Sequence, residues 1–196
     1  MPSNNPVTAP SVLAPSSSSP LVDDADLVEG VSADEFRAAF RNHAAGVAVV
    51  TADAGQGPVA LTATSVFSVS ATPPLLVFSV SSLSSAAPVI LAASSVVVHL
   101  LDTNDVELAR LCSTSGVDRF ADETSWGRLA TGEPYYLSPR IRLRGRIVNR
   151  YEAGTSTLVV VNVTHTASID QPEQPAVPLV YHSRTWLALD RSAALS

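Results

Sequence analysis

The chain has 196 residues, which is enough for one domain of ordinary size but too short for two with a linker. Hydrophobic residues make up 46% of it and charged residues only 15%, so it carries enough apolar material for a packed core. All 12 basic residues are arginine, and 18 acidic residues bring the formal net charge to −6. This negative balance argues against binding to nucleic acid or to an anionic membrane through phosphate attraction.

Cysteine and histidine usage excludes several kinds of site. The single cysteine, Cys112, cannot form an internal disulfide, a four-cysteine zinc site or a Cys-x-x-Cys redox pair. The histidines lie far apart without metal-ligand spacing, so we predict no metal site. The apolar runs are far shorter than the ~20 residues of a membrane span. We therefore expect a soluble globular protein of the reducing cytoplasm, in which Cys112 is a small buried apolar residue.

The predicted elements begin after an N-terminal tail. Residues 1–31 are rich in Pro and Ser and lack the basic and apolar regions of a signal peptide, so we expect them to be disordered. Ser32 and Glu35 have the spacing of a capping box and predict a helix over 33–43. The folded domain is expected to span residues 32–190, followed by a C-terminal tail over 191–196.

From residue 46 onward, β-branched runs separated by turn residues favour strands. Two further helices are predicted, one over 86–93 and one capped by Asn104, and residues 113–138 read as a loop. The predicted strands span residues 46–51, 58–66, 75–80, 96–101, 140–151, 155–169 and 179–189. Because hairpins and turns join most of these strands and no βαβ unit repeats, we expect a mainly-β fold, an antiparallel barrel with a few peripheral helices.

Four arginines alternate with apolar residues at the start of the strand over 140–151. They are Arg140, Arg142, Arg144 and Arg146. A period of two puts all four on one face of the strand. A solvated outer face is the simplest interpretation. Pairing with acidic residues across a dimer and attraction of dinucleotide phosphates are the alternatives.

Hydroxyl side chains cluster in the segment 61–74, at the end of a predicted strand and in the turn after it. A second cluster, at 81–85, ends the next strand. Either these are polar strand edges, or they form a site for a ligand with many acceptors and few charges. An isoalloxazine ring fits such a site, because hydroxyls and backbone amides can bind its ring edge and a phosphate without lysine.

This segment resembles the flavin-binding stretch of the flavin reductase-like family, which has roughly Thr-x-Ser-Ser-Phe-x-Ser-Val-Ser-x-x-Pro-Pro. Here it reads Thr62-Ala-Thr-Ser-Val-Phe-Ser68-Val-Ser70-Ala-Thr-Pro73-Pro74. The resemblance covers about residues 33–190 and includes Glu107-Leu-Ala-Arg110 and Leu179-Val-Tyr-His182 in order. It implies an FMN-binding split barrel of Greek-key topology, and a homodimer whose flavin lies at or near the subunit interface.

The resemblance also implies an activity, that of an NAD(P)H:flavin oxidoreductase. Hydride would pass directly from nicotinamide C4 of NADH or NADPH to N5 of FMN or FAD, and a partner flavin-dependent oxygenase would receive the reduced flavin. The resemblance assigns flavin contacts to Thr62, Ala63, Thr64, Ser65, Ser68, Ser82, Ser84 and Ser85. Trp126 is a further candidate for the wall of the flavin cleft.

The chain departs from the family at one turn, where it has Gly154-Thr155-Ser156 in place of the usual Gly-Asp-His. Ser156, on the nicotinamide side, is the catalytic candidate, although it cannot hold a cation or stack as imidazole does. Two alternatives to the reductase therefore stay open. One is a flavin-binding split barrel without NAD(P)H reductase activity, and the other is a dimeric scaffold with an empty pocket.

Overall fold

The computed structural model describes residues 19–22, 27–169, 176–190 and 192, so the rest of the predicted tails lies outside the described residues. Its α-helices, α1 to α3, are Ala33–Arg41, Ala87–Ala92 and Val106–Ser113. Its strands, β1 to β13, are Ser19–Pro20, Ala45–Gly46, Ala48–Asp53, Pro58–Ala63, Phe67–Ala71, Pro74–Ser81, Ser95–Leu100, Trp126–Arg128, Pro134–Tyr136, Ile141–Ala153, Ser156–Ser168, Leu179–His182 and Thr185–Ala188. In the described ranges, no helix has the length and apolar character needed to cross a membrane.

The main sheet has eight strands. Seven of them follow the order β4-β3-β7-β10-β11-β6-β5 with antiparallel pairing, and β1 lies beside β10 in parallel. The sheet closes on itself where Ser65, just after β4, accepts a hydrogen bond from the backbone N–H of Ser79 on β6 at 3.0 Å. The predicted mainly-β antiparallel barrel is confirmed. Part of the predicted N-terminal tail, Ser19–Pro20, is paired to the barrel through β1.

Alternate side chains of β3 enter two separate apolar clusters, so both faces of this strand are buried. Val50 belongs to the larger cluster, which fills the barrel with fully buried side chains such as Phe78 and Val161. Val49 belongs to the second cluster, between the outer face of the barrel and the elements that cover it. The second cluster contains Tyr136 and residues of α3, which fixes the position of α3 on the barrel.

Helix α1 begins as predicted, because Ser32 and Glu35 form the reciprocal hydrogen bonds of a capping box. The prediction that Asn104 caps the next helix is wrong. The N-cap of α3 is Asp105, which makes no capping bond through its side chain, and the side-chain cap lies earlier, at Asp102, whose Oδ1 accepts a hydrogen bond from the backbone N–H of Asn104 at 2.7 Å. This cap starts a 3₁₀ turn over Thr103–Asp105 that runs directly into α3.

Short strands are the elements that the sequence does not predict. The segment taken as an end of strand and a turn contains β5, an edge strand of five residues that pairs only with β6. Its apolar residues alternate with Ser68 and Ser70, but four of the five positions are exposed, so this short alternation does not mark a buried strand face. The predicted loop over 113–138 contains the three-residue strands β8 and β9, and the last predicted strand is the hairpin β12–β13.

Candidate functional site

The end of β4 and its connection to β5 hold four of the predicted flavin residues in different environments. Thr62 donates a hydrogen bond from Oγ1 to the carbonyl of Ala109 in α3 at 2.7 Å, so its hydroxyl proton anchors the helix. Ala63 is buried in the barrel, whereas Thr64 is exposed. Ser65 is half-buried and bonds to both the N–H and the carbonyl of Ser79. The connection is therefore held firmly at both ends and presents Thr64 to solvent between them.

The turn after β6 carries the second group of predicted residues, and its own hydrogen bonds shape it. The backbone N–H of Ser84 donates to the carbonyl of Ser81 at 3.0 Å. The Ser84 hydroxyl accepts from the backbone N–H of Ala86 at 3.3 Å. The side chains of Ser82 and Ser85 are exposed. The turn thus uses Ser84 to order itself and leaves Ser82 and Ser85 facing solvent.

The predicted catalytic residue, Ser156, lies directly beside this turn. It is opposite Ser81 in the antiparallel pair of β11 and β6, and the backbone N–H of Ser82 donates to the carbonyl of Thr155 at 3.0 Å. Ser79, which bonds to Ser65, is two residues from Ser81 on the same strand. The strand register therefore brings Ser156, the 81–85 turn and the β4–β5 connection to one end of the barrel.

Two predicted residues are not part of this group. Ser68 lies on the edge strand β5 opposite Leu76, five residues along β6 from Ser81. Trp126 packs edge-on against Phe120, with ring centroids 5.0 Å apart, and donates from Nε1 to the Phe120 carbonyl. The contacts described for Trp126 belong to the outer apolar cluster, so its role at a flavin cleft stays a prediction.

The interpretation of the alternating arginines as a solvated outer face is wrong for two of them, Arg140 and Arg144. Arg140 forms a buried ion pair with Asp102 at 3.2 Å, and the half-buried Arg144 pairs with the buried Glu133 at 2.7 Å. Both acidic partners belong to the same chain, so these two guanidinium groups do not need a second subunit. The two ion pairs connect the start of β10 to Asp102, before the 3₁₀ turn, and to Glu133, before β9.

Glu133 is the most strongly perturbed carboxylate of this region. Burial would raise its pKa, but hydrogen bonds from Arg144, Ser95 and Thr131 outweigh that cost and lower the pKa to about 2. The sequence does not single out this residue, because it lies in the predicted loop, where no periodicity or motif distinguishes one acid from another. Only the fold brings Ser95 and Arg144 to it.

His99 is the other polar residue that the sequence analysis did not single out. It is fully buried, with Nδ1 3.0 Å from the Val49 carbonyl and Nε2 3.0 Å from the backbone nitrogen of Tyr136. A carbonyl only accepts and an N–H only donates, so the ring is neutral with its proton on Nδ1. Burial lowers its pKa to about 4. Cys112, which belongs to the second apolar cluster, is buried as predicted, and burial raises its pKa to about 11.

Two cavities lie on the outer side of the barrel, with volumes of about 290 Å³ and about 670 Å³. Neither is lined by Ser156 or by any of the predicted flavin residues. The hydroxyls of Thr64, Ser82 and Ser85 are exposed, and exposed apolar side chains lie beside them in the chain: Leu83 is 92% exposed and Phe67 is 56% exposed. The predicted flavin residues and Ser156 are all uncharged, so this end of the barrel offers a ligand hydroxyls and backbone amides.

Comparison with known proteins decides the family. The model of the flavin reductase like domain matches residues 40–189 of this chain. The chain belongs to the flavin reductase like family. This confirms the resemblance seen in the sequence, and the match covers nearly all of the barrel described above.

The relatives agree with this assignment in sequence and in structure. The chain is 42% identical over 157 residues to an NADH:FMN oxidoreductase of Rhodococcus erythropolis, covering 80% of this chain and 82% of that protein. A flavin reductase domain protein from Arthrobacter sp. FB24 superposes with a TM-score of 0.73 at 32% identity, covering 79% and 94% of the two chains. The NADH:FAD oxidoreductase SgcE6 of Streptomyces globisporus C-1027, solved with NAD and FAD fragments, superposes with a TM-score of 0.73 at 25% identity, covering 89% and 99%.

Proposed function

We propose that this protein is an NAD(P)H:flavin oxidoreductase that reduces FMN or FAD by direct hydride transfer. The observation that carries the proposal is the meeting of three separate hydroxyl-bearing segments at one end of the barrel, fixed by the pairing of Ser156 with Ser81 and by the bonds between Ser65 and Ser79. The names of the Rhodococcus and Streptomyces relatives support it, since both are NADH-dependent flavin oxidoreductases.

The residues at this end of the barrel fit a flavin. Thr64, Ser82 and Ser85 have exposed hydroxyls that can donate to ring carbonyls or phosphate oxygens, while Thr62 and Ser65 hold the backbone of their segment in place. The flavin itself supplies the hydride acceptor, and the chain binds and orients the two reactants. Ser156, half-buried beside the 81–85 turn, is the residue to which we assign the positioning of the nicotinamide.

We further propose that the active form is a homodimer. In one chain the proposed flavin surface is open, and the edge strand beside it exposes Phe67 and Val69 by 56% and 53% of their surfaces. Leu83, in the middle of the 81–85 turn, is 92% exposed. A second copy packed against these side chains would bury them and exclude water from the flavin.

The proposed partner is a flavin-dependent oxygenase in the cytoplasm that consumes the reduced flavin. The proposed flavin contacts are hydroxyls and backbone amides without a charged group, so they hold the ligand through individually modest interactions. Such binding suits a flavin that must be released after reduction. Conversely, tight binding through arginine–phosphate pairs would slow that release.

The experiment that tests the assignment of the site is steady-state NADH oxidation with FMN as acceptor. Replacing both exposed hydroxyls, in Ser82→Ala/Ser85→Ala, should raise KM for FMN about tenfold, the effect of two lost hydrogen bonds of about 0.7 kcal/mol each, and leave kcat nearly unchanged. Ser113→Ala is the matched control, because Ser113 is an exposed serine of α3 outside the site. Equal KM values for the double variant and the control would contradict the proposed flavin contacts.

A further inference from the structure

The smaller cavity, of about 290 Å³, lies on the outer face of β10 and β11 under the segment 129–135. The pairing of β10 with β11 forms the base of this cavity, because it sets Arg142 opposite Ala167 and Arg144 opposite His165. All four of these residues line it. The volume is at the small end of the ~300–1,000 Å³ typical of ligand pockets, so the cavity suits a small molecule and not a dinucleotide.

The cavity carries one cation that no carboxylate neutralises. Arg144 is paired with Glu133, whose oxygens also accept hydrogen bonds from Ser95 and Thr131. Arg142, by contrast, is held only by the ring of Tyr135, 4.8 Å from its guanidinium carbon, and by a long hydrogen bond to the Tyr136 carbonyl at 3.5 Å. Among the described residues no acidic side chain forms an ion pair with it.

The other walls of the cavity are mostly apolar. Val97, Leu129, Ala130 and Ala167 contribute aliphatic surface, and His165 lies at the rim as an exposed side chain. A half-buried guanidinium with unused donors favours a carboxylate, which accepts two parallel hydrogen bonds from it. The aliphatic walls favour an apolar body attached to that carboxylate.

The geometry points to a second binding site, in which Arg142 binds the carboxylate of a small organic acid whose apolar body packs against the walls contributed by Val97, Leu129 and Ala167. A single free guanidinium matches one negative charge. A phosphate dianion would leave charge unbalanced in this cavity. None of the residues proposed to bind flavin or nicotinamide lines the cavity, so the site goes beyond the reductase function.

Titration calorimetry with benzoate on the full chain tests this inference. We expect saturable binding of one benzoate per chain below about 10 mM, with benzamide, inorganic phosphate and acetate each binding at least about tenfold more weakly. Arg142→Met should raise Kd for benzoate about tenfold or more, as the loss of a charge-assisted pair implies. Arg146→Met is the matched control, because Arg146 is an exposed arginine of the same strand that does not line the cavity, and it should bind as the parent does.

A second variant separates lost binding from lost folding. Ala167→Trp adds bulk opposite Arg142 without touching the charge and should abolish benzoate binding while the circular dichroism spectrum stays unchanged. The inference is overturned if benzoate does not bind, if phosphate or benzamide binds as tightly as benzoate, or if both variants bind like the parent. Competition between FMN and benzoate would also overturn it, because it would make the cavity part of the flavin site.

Discussion

Lowering the pH from 7 to 4 should destabilise the folded chain through one residue, His99. Its two ring nitrogens are both in use, with Nδ1–H donating to the Val49 carbonyl and Nε2 accepting from the Tyr136 N–H. Protonation of Nε2 would break the second bond and place a charge in the buried outer cluster, on the same side of the barrel as Arg142. In the unfolded chain the imidazole is solvated, so its protonation breaks no such bond and buries no charge.

The magnitude follows from the pKa of His99, which burial lowers from 6.5 to about 4. Between these values the unfolded chain binds more protons than the folded one, so stability is complete above pH 6.5 and is lost as the pH falls toward 4. A shift of this size corresponds to about 3 kcal/mol at pH 4, a large share of the ~5–15 kcal/mol that stabilises a typical domain.

Urea unfolding at pH 7, 6, 5 and 4 measures this loss. In the parent chain the free energy of unfolding should fall by about 3 kcal/mol across the series beyond the contribution of other groups. His99→Gln, which keeps a donor and an acceptor, should be less stable at pH 7 but should lack that fall. His43→Gln, at an exposed histidine, is the control and should retain it. A parallel decline in the parent and in His99→Gln would refute this reasoning.

Three further predictions concern packing and buried charge. Gly145→Ala should lower the free energy of unfolding in urea by about 2–3 kcal/mol, because its new Cβ would collide with the Val161 side chain and lie 2.8 Å from a backbone oxygen. Gly46→Ala, whose new Cβ would have nothing within 4 Å, should lower it little. Equal effects of the two substitutions would contradict this packing argument. Cys112 should react with a thiol reagent only as fast as the chain unfolds, since burial raises its pKa to about 11; rapid labelling in native buffer would disprove this. Glu133→Gln should lower the free energy of unfolding by about 1–3 kcal/mol at pH 7, because it leaves the half-buried Arg144 without a countercharge, and an unchanged melting temperature would argue against that pair.

The barrel was predictable because its long strands carry their own signals. The β-branched run from Val159 to Val161 is fully or partly buried in β11, and the capping box at Ser32 marks the start of α1 where it lies. The hydroxyl-rich segment was also recognisable, since its residue order is close to that of the flavin reductase like family. These features are local in sequence, so a pattern of a few residues is enough to reveal them.

The elements and residues that were missed depend on distant contacts. Strands β8 and β9 are three residues each, and they are set by pairing with each other and by the Thr51 hydroxyl, which donates to the Pro134 carbonyl. The partners of Arg140 and Arg144, in the same way, lie in segments that only the fold brings to β10. Alternation of arginines fixes which face they share but not whether that face is covered.

The central claim is that this chain passes hydride from a nicotinamide to a flavin held at the Ser65–Ser82–Ser156 end of the barrel. Anaerobic mixing of the protein with FMN and NADH, followed at the visible band of the flavin, tests it most directly. The reductase account predicts that the band bleaches at a rate proportional to protein concentration, and that Ser156→Ala slows this rate by raising KM for NADH. A band that stays unbleached, while quenching of flavin fluorescence shows that FMN is bound, would contradict the account and leave a flavin-binding protein without reductase activity.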